Sequence, residues 1–240
     1  AKAEENKRAF QIGRWAMAFP DQTRKPAPVA QLPPDPVAYR EARLVGYQNK
    51  RLAKRFRKLV DAAPAPLRES VARGYYKLLA YKDEYEVARL YTSGDFKRKL
   101  EQQFEGDYTV RFHLAPPLLA KKNDKGELIK REYGPWMFKA FGVLAKLKFL
   151  RGGTFDIFGY TEERKMERRL INEYEATVGG LLETLDGGNV DLAAEIASIP
   201  EHIRGFGHVK DAHLHAAKTR EAELLREWDN PLRVVQIQAA

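Results

Sequence analysis

The most constraining feature of the sequence is a run of apolar residues that recur every three or four positions between 67 and 91. In order they are Leu67, Val71, Tyr75, Leu78, Tyr81, Tyr85, Ala88 and Tyr91. Steps of three and four place side chains on one face of an α-helix. The pattern therefore predicts a single helix over 66–92. At 1.5 Å per residue this helix would be about 40 Å long and would act as a scaffold for the rest of the chain.

Apolar spacing and the positions of proline and glycine predict seven further helices. They are expected over 3–19, 36–62, 95–104, 136–150, 161–186, 190–198 and 209–228. Alternating residues at 108–113, with a partner segment at 128–133, are the one place where the sequence favours strands. The predicted fold class is therefore mainly α: a multi-helix, bundle-like domain with long helices and one small β-hairpin at about 107–133.

Proline content divides the chain. Six prolines lie between 20 and 36, and proline at this density removes backbone donors and favours an extended linker. We therefore expect an N-terminal helix and Pro-rich linker over 1–36, a helical domain over 37–230 and a tail over 231–240. No apolar run approaches the roughly 20 residues of a membrane-spanning helix, and no stretch is typical of a secretory signal. We expect no membrane association and a cytoplasmic location.

Positive charge is concentrated near the N-terminus, where residues 1–62 hold 14 Lys and Arg against 6 Asp and Glu. The formal charge of the whole chain is +9. A run of this kind attracts acidic partners or polyanions, although a solvated helix face has the same composition. The densest run contains no acid and is the candidate docking site for an acidic partner: Lys50, Arg51, Lys54, Arg55, Arg57 and Lys58.

The sequence has few groups suited to catalysis. The absence of cysteine excludes disulfides, thiolate nucleophiles and cysteine-bound zinc or iron–sulfur clusters within this chain. The five histidines lack the spacing of a metal site, and no catalytic motif occurs. We predict no catalytic residue and no metal ligand. Arg204, His208 and Lys210 surround a glycine turn before a predicted helix, an arrangement that favours an anion. A tight interhelical turn would explain the same glycines.

Five stretches resemble the C-terminal region of the long, fused form of indolepyruvate ferredoxin oxidoreductase. The resemblance covers about 66–228, and residues 3–19 resemble the helix that leads into that region. The five stretches are 81–91 (YKDEYEVARLY), 104–120 (FEGDYTVRFHLAPPLLA), 133–137 (YGPWM), 158–178 (FGYTEERKMERRLINEYEATV) and 203–210 (IRGFGHVK).

The resemblance implies a parent enzyme that converts an arylpyruvate and coenzyme A to an aryl-acetyl-CoA, carbon dioxide and reduced ferredoxin. Such enzymes use thiamine diphosphate, magnesium and 4Fe–4S clusters, and these cofactors carry the chemistry. This chain has neither the cluster cysteines nor a thiamine motif. We therefore expect no cofactor within it and place the cofactors in the rest of the parent enzyme.

The implied role of the chain is accessory. It would support assembly with the catalytic domains of the same enzyme and its homo-oligomer, dock ferredoxin through the basic run, or bind coenzyme A through Arg204, His208 and Lys210. The alternative is a basic helical protein that binds nucleic acid or acts as a scaffold. Charge and interleaved tyrosines favour nucleic acid, but no recognised binding motif does.

Overall fold

A computed structural model describes residues 2–19, 33–115, 129–205 and 207–230 of the chain. Within these ranges the fold is mainly α, as predicted, with one two-stranded antiparallel hairpin. The α-helices are α1 (Lys2–Ala18), α2 (Pro36–Tyr47), α3 (Lys50–Ala62), α4 (Ala65–Leu79), α5 (Glu84–Thr92), α6 (Gly94–Gln103), α7 (Met137–Lys146), α8 (Glu162–Glu183), α9 (Val190–Ser198) and α10 (His208–Asp229). The strands are β1 (Phe112–Leu114) and β2 (Arg131–Tyr133), and two 3-10 helices span Leu147–Leu150 and Ile199–His202.

The chain divides into two compact units, Ala1–Pro36 and Val37–Ala240. In the first unit, α1 exposes large apolar side chains, among them Phe10 and Trp15. Most of the predicted linker and the predicted tail, at 20–32 and 231–240, lie outside the described residues. In the described ranges, no helix is long and apolar enough to cross a membrane.

Two predicted helices are each interrupted, so the predictions of single helices over 36–62 and 66–92 were wrong. α2 ends at Tyr47, and α3 begins at Lys50 because the Asn49 side chain accepts the N–H of Leu52 at 3.0 Å. Likewise α5 begins at Glu84 because the Asp83 carboxylate accepts the N–H of Glu86 at 2.8 Å. In both places a side chain satisfies a backbone donor that the start of a helix leaves free.

The larger core surrounds α4, which packs against α3, α8 and α9. Tyr75 of α4 is fully buried between two rings, with Phe56 of α3 and Tyr174 of α8 at centroid distances of 6.0 and 5.8 Å. The Tyr174 hydroxyl donates to the backbone oxygen of Ala197 at 2.9 Å. These contacts fix α8 and α9 against the central helix.

A smaller core lies between the hairpin, α5 and α7. Its centre is Phe112 of β1, and the Tyr91 ring stacks on Phe141 of α7 at 5.5 Å. The hairpin pairs Phe112 with Tyr133 and Leu114 with Arg131. The first strand is therefore shorter and later than the predicted alternation at 108–113, because only Phe112 of that segment packs deeply against the two helices.

Candidate functional site

A buried ion pair lies at the junction between α4 and α5. The side chains of Asp83 and Arg151 are 2% and 3% exposed, and they form a bidentate pair with one N–O distance of 2.8 Å. Arg151 also donates to the backbone oxygen of Tyr47 at 2.7 Å and lies 3.7 Å over that tyrosine ring. Burial lowers the pKa of Arg151, but the hydrogen bonds to Asp83 and the charge interactions with Tyr47, Asp83 and Tyr81 together hold that pKa above its ordinary value. The guanidinium is therefore a fixed, fully bonded cation.

Further buried charged residues lie in the first turns of α8. Arg164 donates to Glu84 at 3.5 Å, and its guanidinium lies 5.6 Å from the centroid of the Tyr81 ring. Glu167, one turn further along α8, accepts from Lys210 of α10. These pairs connect α8 to Glu84 of α5 and to Lys210 of α10. Buried ion pairs of this kind fix how helices are arranged more than they add to stability.

A third buried carboxylate organises the loop before α8. Asp156 accepts the hydroxyl of Tyr85 at 3.1 Å and the backbone N–H groups of Gly152 at 2.8 Å and Phe158 at 3.2 Å. Burial and the nearby Asp156 carboxylate raise the pKa of Tyr85 above its ordinary value, so this hydroxyl stays protonated and donates. The carboxylate thus ties α5 to the loop over 151–161.

Sequence reasoning missed this set of buried charges. The signal for one member was present, since Asp83 followed by Glu86 is typical of a helix start. The partner Arg151 lies 68 residues away in the sequence, and no local pattern connects the two. Among the described residues, no group of three His, Asp or Glu could hold a metal ion.

The predicted anion site is divided by the structure. Lys210 binds Glu167 and lines a cavity of about 210 Å³ beside Lys77. Arg204 instead lines an open groove of about 670 Å³ together with His202, His213 and Arg220. The His208 side chain lies outside the described part of the chain. Joint binding of an anion or of coenzyme A by Arg204, His208 and Lys210 stays a prediction.

Lys77 lies close enough to Arg204 and to Lys210 for both cations of the predicted anion site to affect its pKa. Its amine donates to the backbone oxygen of Glu201 at 2.8 Å. Burial lowers the pKa of Lys77 and the nearby cations Arg204 and Lys210 lower it further, whereas the Glu201 carboxylate raises it. Cations and carboxylates are therefore mixed around Lys77, and Lys210 is already bound to Glu167.

The basic run on α3 is divided between bound and unbound cations. Arg55 binds Glu175 at 2.6 Å, and Arg57 binds Asp61 at 2.8 Å. The other four residues are exposed and form no ion pair or hydrogen bond with a described residue. Because they are spaced at one, three and four residues, they lie along one side of α3. We call them the α3 stripe: Lys50, Arg51, Lys54 and Lys58.

Glu175 gives the fold a testable acid sensitivity. Burial raises the pKa of its carboxyl, but hydrogen bonds from Arg55 and Tyr75 lower it by more, so the net pKa lies below the ordinary 4.5. A lowered folded-state pKa stabilises the protein above the unfolded pKa, and this contribution is lost as the pH falls through the folded pKa. We expect Glu175→Gln to flatten the fall in free energy of unfolding between about pH 5 and pH 3.

Urea unfolding at several pH values measures this effect. Glu183→Gln is the matched control, because Glu183 is exposed on the same helix and forms no ion pair with a described residue. The control should keep the acid sensitivity of the unsubstituted chain. Equal pH slopes for the Glu175→Gln variant and the unsubstituted chain would contradict the assignment.

These features define a mainly helical domain with two hydrophobic cores, buried ion pairs at the start of α5 and α8, and, on α3, four cations that are unpaired among the described residues. Residues 34–223 match a family of unknown function, DUF6537. Since the match covers most of the sequence, the chain belongs to this family. No curated protein matches the chain, and no solved structure does.

Proposed function

We propose that the chain is a non-catalytic helical domain of a thiamine-dependent arylpyruvate:ferredoxin oxidoreductase and that the α3 stripe docks the acidic ferredoxin. The five resembling stretches support the parent enzyme. The docking role rests on one observation: four exposed cations on α3 have no partner among the described residues. In this proposal, decarboxylation and electron transfer belong to cofactors held elsewhere in a cytoplasmic enzyme, and this domain brings the electron acceptor to them.

The unpaired state of the α3 stripe matters for the energetics of docking. A cation that already has a carboxylate partner must give up that ion pair before it can meet an acidic protein. Lys50, Arg51, Lys54 and Lys58 lose no such pair, so their full charge acts on an approaching partner. Opposite charge patches raise association rates in a salt-dependent way. Arg55 and Arg57 instead serve the fold through Glu175 and Asp61.

Charge reversal of the stripe tests the docking role. The variant carries Arg51→Glu, Lys54→Glu and Lys58→Glu in the full enzyme and leaves Arg55 with Glu175 intact. At low ionic strength we expect ferredoxin reduction at limiting ferredoxin to slow by at least about tenfold, since steering changes association rates by factors of this size or more. The difference should shrink at high salt, because screening weakens exposed charges. The measurement is the initial rate of ferredoxin reduction at several salt concentrations.

The matched control reverses Arg68, Lys99 and Arg226, three exposed cations on other helices that also form no ion pair with a described residue, and so changes the net charge by the same amount. The control should reduce ferredoxin at the rate of the unsubstituted enzyme. Equal slowing by both variants would assign the effect to net charge and contradict docking at α3. A rate of ferredoxin reduction that changes with neither the substitutions nor the salt concentration would also contradict docking at α3. If the isolated chain instead binds arbitrary duplex DNA through the stripe, with steep salt dependence, the nucleic-acid alternative is favoured.

A further inference from the structure

Helix α7 carries apolar residues on two separate faces, one buried and one exposed. Its inner face packs into the smaller core through Met137 and Phe141, each 7% exposed. Its outer face carries Trp136 at 59% exposure, Val143 at 63% and Leu147 at 36%. With Ala140, these outer residues are spaced by four, three and four positions, which places them on one side of the helix. A surface helix typically has one apolar stripe, which faces the core, so the second, exposed stripe of α7 is a candidate contact surface.

The apolar surface continues along the chain after α7. Four further side chains between 149 and 160 are at least 60% exposed: Phe149, Phe155, Ile157 and Tyr160. Exposed apolar residues that occur singly are ordinary, whereas a concentration of large ones marks an interaction site. We call the side of α7 formed by Trp136, Ala140, Val143 and Leu147 the outer face of α7.

The exposed charged residues in this part of the chain have one sign. Between 134 and 160, Lys139 and Lys146 are the only exposed charged residues. Lys148 donates to the backbone oxygen of Gly46, Arg151 binds Asp83, and Asp156 is buried. At 100° per residue, both exposed lysines lie along the same edge of the outer face. Neither pairs with a carboxylate of the described chain. The face is therefore apolar at its centre and positive along one edge.

We propose that the outer face of α7 docks a protein surface that is apolar at its centre and carries carboxylates along one edge. A second copy that docks through the same face does not fit this description, because residues 134–160 supply no exposed carboxylate. A partner with acidic residues at its edge would bury Trp136 and Val143 and neutralise Lys139 and Lys146. This site is separate from the α3 stripe and does not depend on the identity of the parent enzyme.

Two labelled helical peptides test the proposal. Both carry leucine and alanine on one face; the first has glutamate along the edges of that face, and the second has lysine there. We expect fluorescence anisotropy to show saturable binding of the acidic peptide and none of the basic one. Val143→Asp should weaken acidic-peptide binding by at least about tenfold, as loss of a central apolar contact does. The control Val209→Asp, an exposed valine on α10, adds the same charge elsewhere and should leave binding unchanged.

A charge exchange gives the sharpest readout. The variant Lys139→Glu with Lys146→Glu should lose the acidic peptide and bind the basic one, which a mere loss of folding could not produce. Binding of neither peptide, or equal binding of both, would overturn the proposal. Equal weakening by Val209→Asp would overturn it as well, because binding would then follow net charge or the α3 stripe. If the chain sediments as a dimer that Val143→Asp dissociates, the occupant is a second copy, and the proposal is wrong.

Discussion

Replacement of Asp83 by alanine is expected to lower the free energy of unfolding by about 4 kcal/mol. The substitution would leave Arg151 buried at 3% side-chain exposure with no countercharge. Removing one member of a buried ion pair typically costs more than the pair itself contributes. The same substitution also removes the acceptor for the N–H of Glu86 at the start of α5. Urea unfolding followed by circular dichroism measures the loss.

Two variants separate the causes of this loss. Asp83→Asn keeps an acceptor for the Glu86 N–H and removes only the charge, so it should cost less than Asp83→Ala. Asp83→Leu with Arg151→Met removes both charges and should recover most of the stability, since no buried charge is left unpaired.

The surface control for Asp83→Ala is Glu195→Ala, which removes a half-exposed partner of Arg220. It should cost less than about 1 kcal/mol, as exposed ion pairs do. If Asp83→Ala costs no more than this control, the buried pair does not stabilise the junction.

Apolar spacing predicted which residues face the core better than it predicted where helices end. The three-and-four spacing of apolar residues from Leu67 to Tyr91 continues across the break at Ala80–Asp83. Tyr81 lies in the non-helical segment but still packs against the larger core. Periodicity could not reveal the break for that reason. The local evidence was Asp83 three residues before Glu86, and at the other break Asn49, a residue type favoured at helix N-caps. Capping signals of this kind are short and are easily outweighed by a long apolar pattern.

For the candidate sites, too, the sequence located the residues, and packing decided which of them are paired or exposed. Composition alone located the basic run on α3, and four of its six cations form no ion pair with a described residue. The pair of Arg57 with Asp61, four residues along the same helix, could be expected from sequence. That Arg55 would be bound depended on Glu175, 120 residues away, and on how α8 packs beside α3. The two apolar faces of α7 could be read from its sequence, whereas their exposure depends on which face the hairpin covers. Tertiary packing decides these points, so local sequence cannot.

Gly74→Ala on α4 is expected to lower the free energy of unfolding by about 2 kcal/mol, although alanine favours helices. An added methyl group would lie well inside contact distance of the Ala197 backbone oxygen and 2.8 Å from the Tyr174 hydroxyl. A backbone oxygen on α9 cannot rotate away, and this one already accepts the Tyr174 hydroxyl. The two helices would have to separate and loosen the larger core. Thermal or urea unfolding measures the loss.

The control is the same chemical change at Gly180 on α8, where an added methyl group meets nothing within 4 Å. Gly180→Ala should raise the free energy of unfolding by about 0.5–1 kcal/mol, because alanine loses less conformational freedom when a helix forms. If Gly74→Ala lowers the free energy of unfolding and Gly180→Ala raises it, the close approach between α4 and α9 requires a glycine at position 74. Stabilisation by both variants would contradict this, since helix propensity would then outweigh packing at both positions.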